Sequence, residues 1–335
     1  MTSMPKQTEV EGPTRADGTA GAAGARTVGA PGAGAGTASA PLRSKKPHRD
    51  TGMAYIMLAP VLILLSIFVI WPAIQAIYLS FFDWSFYAES EFVGWKNFQD
   101  VLTDEKFWAA VIRGLQFVLM TVPVQLLIAF LVASLAVSVS RKVSALLKIS
   151  IYIPSVISGV IASITFVMIY DYSGGILNAI INLVGLPNQA WLGDPRWALA
   201  AIGVPAVWLG LGIATLIMVA AMLDIPDSFY ESAELEGAGW FQRTRYITIP
   251  QMKNVLLYLL VTGFVGAIQQ YELPLVMTGG GPSESTELPN LFIFNHFRGD
   301  TYVGYSIAAA LLLFVVLGSI SSVIFRIVNS EKLVD

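Results

Sequence analysis

The sequence predicts an all-α integral membrane protein. It has six transmembrane helices, a charged inner loop between the fourth and fifth, and a disordered N-terminal tail. Three observations predict this. More than half the residues are apolar and only 13% are charged, and the mean hydropathy is +0.65, values typical of membrane proteins. Apolar runs of about twenty residues or more, enough to cross a bilayer at roughly 1.5 Å of rise per residue, recur along the chain. Lysine and arginine also fall on alternate loops, as they do when basic loops stay inside.

The tail, residues 1–50, is read as a unit separate from a membrane domain of residues 51–335. From Thr19 to Ala40 it is almost entirely Ala, Gly, Thr, Ser and Pro, too little apolar surface to offset the entropy of ordering. No apolar core follows a basic start, so the tail does not read as a cleavable signal. Arg43, Lys45, Lys46 and Arg49 then form a basic stop before the first apolar run.

The six spans are Ala54–Leu79, Ile112–Val139, Ile149–Tyr170, Ala198–Met222, Val255–Met277 and Val303–Val328. With the N-terminus inside, Arg141, Lys142, Lys148, Arg243, Arg245, Lys253, Arg326 and Lys332 are all inside too. The other loops carry Glu89, Glu91, Asp100, Asp104, Glu105, Asp171, Asp194, Glu284, Glu287 and Asp300 with few bases. Both termini are therefore expected in the cytoplasm of a multi-pass plasma-membrane protein. Pro72, Pro123, Pro154, Pro205 and Pro274 interrupt the spans and free carbonyls that neighbours must satisfy. Small residues such as Ser155, Gly159, Gly210 and Gly212 permit close helix packing.

Two outer loops look structured. Asp83 to Lys106 holds Trp84, Phe86, Tyr87, Phe92, Trp95 and Phe98, an interfacial composition. Leu177 to Trp197 reads as a short amphipathic helix followed by turns.

Several function classes are excluded or unsupported. There is no cysteine, and His48 and His296 are far apart, so no metal or thiolate chemistry is expected. No phosphate-binding glycine loop ending in Lys-Ser/Thr is present, so the chain is not expected to hydrolyse ATP or to carry a cofactor. Asp83, Asp171 and His296 lack the spacing of a membrane enzyme. An ion-coupled secondary transporter would need similar halves and buried acids; no clear repeat is visible, and Glu272 is the acid well inside a span.

The inner loop, Asp224 to Pro250, is helix-prone and broken by glycine. Asp224 or Asp227 can cap a helix with Pro226 in its first turn, and Ser228 and Glu231 have capping-box spacing. A helix over Phe229–Glu236 would end at Gly237, and a second would run from Trp240 to near Pro250. The residues alone fit either a docking knob or an ordinary interfacial hairpin.

The loop resembles the EAA motif of ABC-importer permeases, in which Glu-Ala-Ala precedes a glycine and later Ile-x-Leu-Pro. Glu231-Ser232-Ala233, Gly237 and Ile247-Thr248-Ile249-Pro250 match it, with Ser232, Glu236 and Ile249 as departures. Leu58-Ala59-Pro60, Trp71-Pro72, Leu79-Ser80-Phe81, Gly94-Trp95-Lys96-Asn97-Phe98, Tyr152-Ile153-Pro154 and Thr278-Gly279-Gly280-Gly281-Pro282 with Thr286 are similar to the carbohydrate-uptake branch. The resemblance implies coupling helices that dock on an ATPase through Glu231, Ala233, Gly237, Ala238 and Pro250. It also implies four kinds of partner: a second homologous permease, a pair of ATPase subunits, an extracytoplasmic solute-binding protein and a sugar. Lipid surrounds the assembly, and no nucleic acid is involved.

Polar groups inside spans are costly and point to function. Gln269, Gln270, Tyr271 and Glu272 offer amides, an acid and an aromatic face to a sugar. The resemblance to maltose-type permeases carries over most directly to Gln269 and Gln270. Inter-helix hydrogen bonding is the competing reading, and Gln125 and Trp208 are weaker candidates.

Overall fold

The computed structural model describes residues 51–85 and 89–329. The tail, its basic stop, Phe86, Tyr87 and Lys332 lie outside the described residues. The chain divides into two units, residues 1–57 and 58–335. Only the start of a helix is described in the first, and the helical bundle belongs to the second.

The first span is built from α1 (Thr51–Leu65), a π-turn at Ser66–Ile70, and α2 (Trp71–Leu79). The Trp71 N–H reaches back five residues to the Ser66 carbonyl just before Pro72, the local widening that lets a helix accept a residue with no N–H. Two-residue strands β1 (Phe82–Asp83) and β2 (Glu91–Phe92) pair antiparallel, with Phe82 opposite Phe92. Then come α3 (Lys96–Thr103), α4 (Glu105–Ser138), α5 (Arg141–Tyr152) and α6 (Gly159–Ile169). Short α7 (Ile176–Leu183) precedes α8 (Pro195–Leu223). The inner loop holds α9 (Asp227–Leu235), α10 (Trp240–Arg243), a π-turn at Thr244–Thr248, and α11 (Ile249–Gln251). The chain continues through α12 (Lys253–Ile268), α13 (Glu272–Met277), α14 (Pro289–Gly299) and α15 (Gly304–Asn329).

Among the described residues, five spans are long and apolar enough to cross a membrane, and α5 with α6 makes a sixth if the bent pair crosses as one. That pair covers the span expected at Ile149–Tyr170, with its break at the expected Pro154. It turns by 97°, because Pro154 sits in a 3₁₀ turn, Ile157 is extended and the Ser158 hydroxyl caps α6 at Val160 N–H. The second span starts at residue 105 rather than 112. The Asp104 side chain caps it at Lys106 N–H, and the charges that lowered the apparent hydropathy of this turn are paired. Lys106 Nζ lies 2.7 Å from Glu284, and Arg113 donates to the Glu287 carbonyl at 3.0 Å. The Lys106 ammonium holds the Glu284 carboxyl below its ordinary range. That contribution is therefore present above the ordinary glutamate range and is lost as pH falls through the lowered value.

Helices α4 and α8 run parallel. Thr121 abuts Gly203, Gln125 reaches the Gly210 carbonyl at 3.0 Å, and Ser134 lies beside Met222. Helix α12 runs the other way, with Gly263 against Val122 and Ile268 against Gly114. The Tyr305 hydroxyl of α15 donates to Asp104 at the head of α4. These directions gather Arg141, Lys142, Arg243, Arg245 and Arg326 at one end of the bundle, with Asp100, Asp104, Asp194, Glu284 and Asp300 at the other.

The acidic end is a woven cap. Buried Asn97 donates to the Ser80 and Phe82 carbonyls, both at 3.0 Å, closing the end of α2. Gly304 passes so close that a Cβ there would lie 2.1 Å from the Phe82 carbonyl oxygen. Phe81, Trp95 and Phe98 stack on one another. Asn178 of α7 donates to the Asp171 and Gln189 carbonyls and accepts from Gln189 N–H and Trp191 Nε1. In the loop after α13, Gly279 and Gly280 take positive φ, and buried Thr286 bonds Thr278 and the Gly281 carbonyl, each at 2.7 Å.

Pro205 removes the N–H that would bond the carbonyl four residues earlier, at Ala201. The Tyr170 hydroxyl donates to that carbonyl at 3.0 Å in a buried setting. Tyr170→Phe is therefore expected to cost about 1–3 kcal/mol, the penalty for an orphaned buried acceptor. In a double-mutant cycle read by thermal unfolding in detergent, Pro205→Ala should restore the helical bond and shrink that cost. Additive effects would refute the pairing.

Candidate functional site

The inner loop folds into two helical arms at a glycine elbow. Helix α9 ends in a Schellman turn: Gly237 N–H donates to the Glu234 carbonyl at 3.0 Å, and Ala238 N–H donates to the Ala233 carbonyl at 2.9 Å. Gly237 takes φ +78 to close it, with open space around it. Ala233, Gly237 and Ala238 are thus three parts of one turn. Beyond the elbow, Gln242 accepts from Gly239 N–H at 2.9 Å and starts the second arm.

The start of α9 differs from the expectation. Asp224 ends α8, Pro226 occupies the cap position without a side-chain bond, and Asp227 lies in the first turn. The Ser228–Glu231 capping box does not form, because the cap position falls on proline two residues before Ser228. Glu231 instead lies exposed on the outer flank. The second arm stays helical through Pro250, where a π-turn leaves Ile249 N–H bonded to the Thr244 carbonyl. Tyr230 and Thr248 hydroxyls, 3.0 Å apart, clasp the two arms.

Charge and spacing directed attention to Glu231 and Gly237 and missed an apolar shell. Leu235 is 91% exposed, Tyr246 75% and Phe241 72%. Large apolar side chains left uncovered on a charged loop are available for contact with a partner or with the membrane interface. The signal in the sequence was the cluster Phe229, Trp240, Phe241 and Tyr246 on a loop otherwise charged.

The four residues expected at the substrate separate. The fifth span is not continuous: α12 stops at Ile268 and α13 begins at Glu272, so Gln269, Gln270 and Tyr271 form a break. Gln270 lines a cavity of about 420 Å³ between α4, α8 and α12, together with Gln125, Thr121 and Thr262. Gly210, Gly263 and Gly266 leave its walls open. Gln269 is exposed, and its carbonyl accepts from Asn290 at 2.9 Å. Tyr271 packs on Phe294, 5.7 Å between ring centroids, at a larger apolar cleft of about 1020 Å³. Glu272 sits against Gly159 at the start of α6, where a Cβ would meet its Oε2 at 2.4 Å. Trp208 stacks on Phe166 and does not line the glutamine cavity. Thr121 and Thr262, which sequence reasoning passed over, bond their own helix carbonyls at residues 117 and 258.

The elbow's conformational demand is testable. Gly237→Ala should cost about 1 kcal/mol, the penalty of a left-handed residue with a Cβ, while Gly239→Ala should change little. Amide exchange at residues 237 and 238 should then quicken about fivefold in the first variant only. Equal rates would mean that the turn does not depend on glycine.

The model of the family described as "binding-protein-dependent transport system inner membrane component" matches residues 104–332. The chain is 30% identical over 284 residues to the sulfoquinovosyl glycerol transport system permease protein SmoG of Agrobacterium fabrum, covering 84% of this chain and 92% of that one. It is also 30% identical to the trehalose/maltose transport system permease protein MalF of Thermococcus litoralis, over 85% of this chain and 97% of that one. Its fold resembles a chain of a bacterial ABC transporter involved in the import of alginate, with TM-score 0.72 and 22% identity, covering 85% of this chain and 97% of that chain. The family match and the two relatives settle where the multi-pass helical bundle belongs: this chain is a member of the inner membrane components of binding-protein-dependent transport systems.

Proposed function

We propose that the chain is a permease subunit of an ATP-driven importer, forming part of the translocation pathway for a sugar or oligosaccharide. The observation that carries this is the exposed glycine elbow, flanked by Glu231, at the basic end of a bundle whose family is transport. Relatives named for trehalose/maltose and for sulfoquinovosyl glycerol support a glycoside or sugar as cargo. The subunit carries out no covalent chemistry. The motor is a pair of ATPase subunits, the other half of the pathway is a second homologous permease, and an extracytoplasmic solute-binding protein delivers the sugar.

In this reading the basic end faces the cytoplasm, so both termini lie there and residues 1–50 form a cytoplasmic tail apart from the membrane domain. The loop between α8 and α12 is the coupling element. Glu231 supplies the acidic contact, Ala233, Gly237 and Ala238 the tight elbow, and Pro250 the end of the second arm. ATP binding draws the docked elbows together and shifts the bundle between inward- and outward-open populations. Gln269, Gln270, Tyr271 and Glu272 border the sugar path at the break between α12 and α13. Gln270, with Gln125, Thr121 and Thr262 beside it, makes the polar wall.

Two measurements test this. Gly237→Asp puts a charged side chain on the strained elbow residue, so ATPase subunits should no longer co-purify with the permease. Continued co-purification would remove the loop as the docking element. Gln270→Ala, at unchanged membrane levels, should lower uptake of the transported sugar at subsaturating concentration about fivefold, the loss of one hydrogen bond of about 1 kcal/mol. Unchanged uptake across a sugar panel would take Gln270 out of the path.

A further inference from the structure

Beside the elbow the two arms enclose a concavity of about 360 Å³, lined by Ala233, Glu236, Gly237, Gln242, Arg243 and Tyr246. Among the described residues its one cation is Arg243. That side chain is only 32% exposed, and its ion pairing among those residues is a single 3.5 Å approach of Nη1 to Glu234, itself 73% exposed. Arg243 Nε is enclosed with no hydrogen-bond partner. The guanidinium has therefore lost much of its water and gained little in return. A charge in that condition gains more from a counter-ion than a hydrated surface charge does. Glu236, also on the lining, is exposed and hydrated and gains correspondingly little. Exposed Tyr246, on the same lining, would exclude water from a seated partner.

We propose that this concavity receives an acidic side chain of the ATPase subunit, with Arg243 as its counter-ion. The elbow then makes two ionic contacts of opposite sign: Glu231 offers a carboxylate outward, and Arg243 accepts one inward. Two opposed contacts fix the rotation of the elbow on its partner, which one contact cannot. A carboxylate is favoured over a carbonyl because a planar guanidinium binds it through paired, charge-assisted hydrogen bonds. This proposal rests on the docking reading above, and its test separates the two.

The test uses the full assembly purified with its ATPase subunits in lipid discs. In Arg243→Lys, a carbodiimide condenses the new amine with any carboxylate in contact, forming an amide with loss of water. Mass spectrometry should find residue 243 joined to an aspartate or glutamate of the ATPase. Arg243→Gln should weaken retention of the ATPase about tenfold, and Arg243→Lys by less, since it keeps the charge and loses the paired geometry. The proposal is overturned if residue 243 joins only Glu234 or nothing, if the concavity links only through Glu236 to an ATPase lysine, or if Arg243→Gln retains the ATPase in full. Gly237→Asp distinguishes the two failures. If it releases the ATPase while the residue 243 arms are silent, docking stands and the acid-receiving concavity falls. If it too leaves the ATPase bound, both fall.

Discussion

No backbone polar group can be left without a partner where water is absent, and the bundle is arranged around that constraint. Its demands concentrate on α8. Pro205 strips the Ala201 carbonyl of its helical donor, and Tyr170 replaces it. Ser155, from the bend between α5 and α6, donates to the Leu209 carbonyl at 2.8 Å, and Gln125 donates to Gly210. Three different segments thus hold one helix through its carbonyls. The approach needed for those bonds demands missing side chains. A Cβ at Gly212 would lie 2.8 Å from the Ile151 carbonyl oxygen, and one at Gly210 would collide with Gln125. The small residues of α8 and the polar reach of its neighbours are one device seen from two sides.

The breaks in the bundle meet where the cavity lies. The interruption at Gln269–Tyr271 frees the polar side chain of Gln270, whose Oε1 accepts from Glu272 N–H at 3.2 Å. The bend before α6 brings Gly159 against Glu272. A straight fifth span would have put Gln270 and Glu272 on different faces of a helix, with no reason to meet either wall. A straight third span would have carried Ser155 away from α8. The two breaks leave polar side chains facing spaces inside an apolar bundle, Gln270 on the cavity wall and Glu272 against Gly159.

Much of the bundle was legible in the sequence, and the reasons are local. Length and hydropathy suffice for spans with unbroken apolar runs, such as α8 and α15. The elbow was legible because a glycine at the end of a short helical pattern has few alternatives. The start of α4 was not, since Lys106 reads as a loop charge and Arg113 as the edge of the span until Glu284 and the Glu287 carbonyl, far along the chain, are brought to them. The 97° turn within the third span was signalled by Pro154 and Ser158, but a hydropathy window averages across both. The glutamine cavity depends on which face of α4 meets α12. That is decided by glycines at 114 and 263 touching residues more than a hundred positions away, a pairing no single segment carries. Asn97 sits between these extremes: Gly94 and Phe98 flag a motif, yet its purpose becomes clear only when the Ser80 and Phe82 carbonyls arrive.

A coupling loop is useful only if movement of its tip reaches the cavity walls, and the packing here supplies rigid connections. The first arm is clasped to the second by Tyr230 and Thr248. Tyr230 and Ile247 pack on the same cluster that holds Met222 and Ile225 at the end of α8 and buried Met252 before α12. That cluster continues into Ala129, Ala133 and Ala136 of α4. The arms cannot move independently of α8 and α12 without opening a close-packed core, at a cost of several kcal/mol for each large side chain exposed to a void. Both helices carry cavity wall: Gly210 on one, Gly263 and Gly266 on the other. Under the proposed coupling role, a pull at Gly237 would reach the two surfaces that face Gln270 and Gln125, while α13, beyond the break, is packed against α6 through Glu272 and Gly159. In the coupling role proposed for the loop, the discontinuity at residues 269–271 would let one half of the fifth span follow the loop while the other remained with the acidic cap.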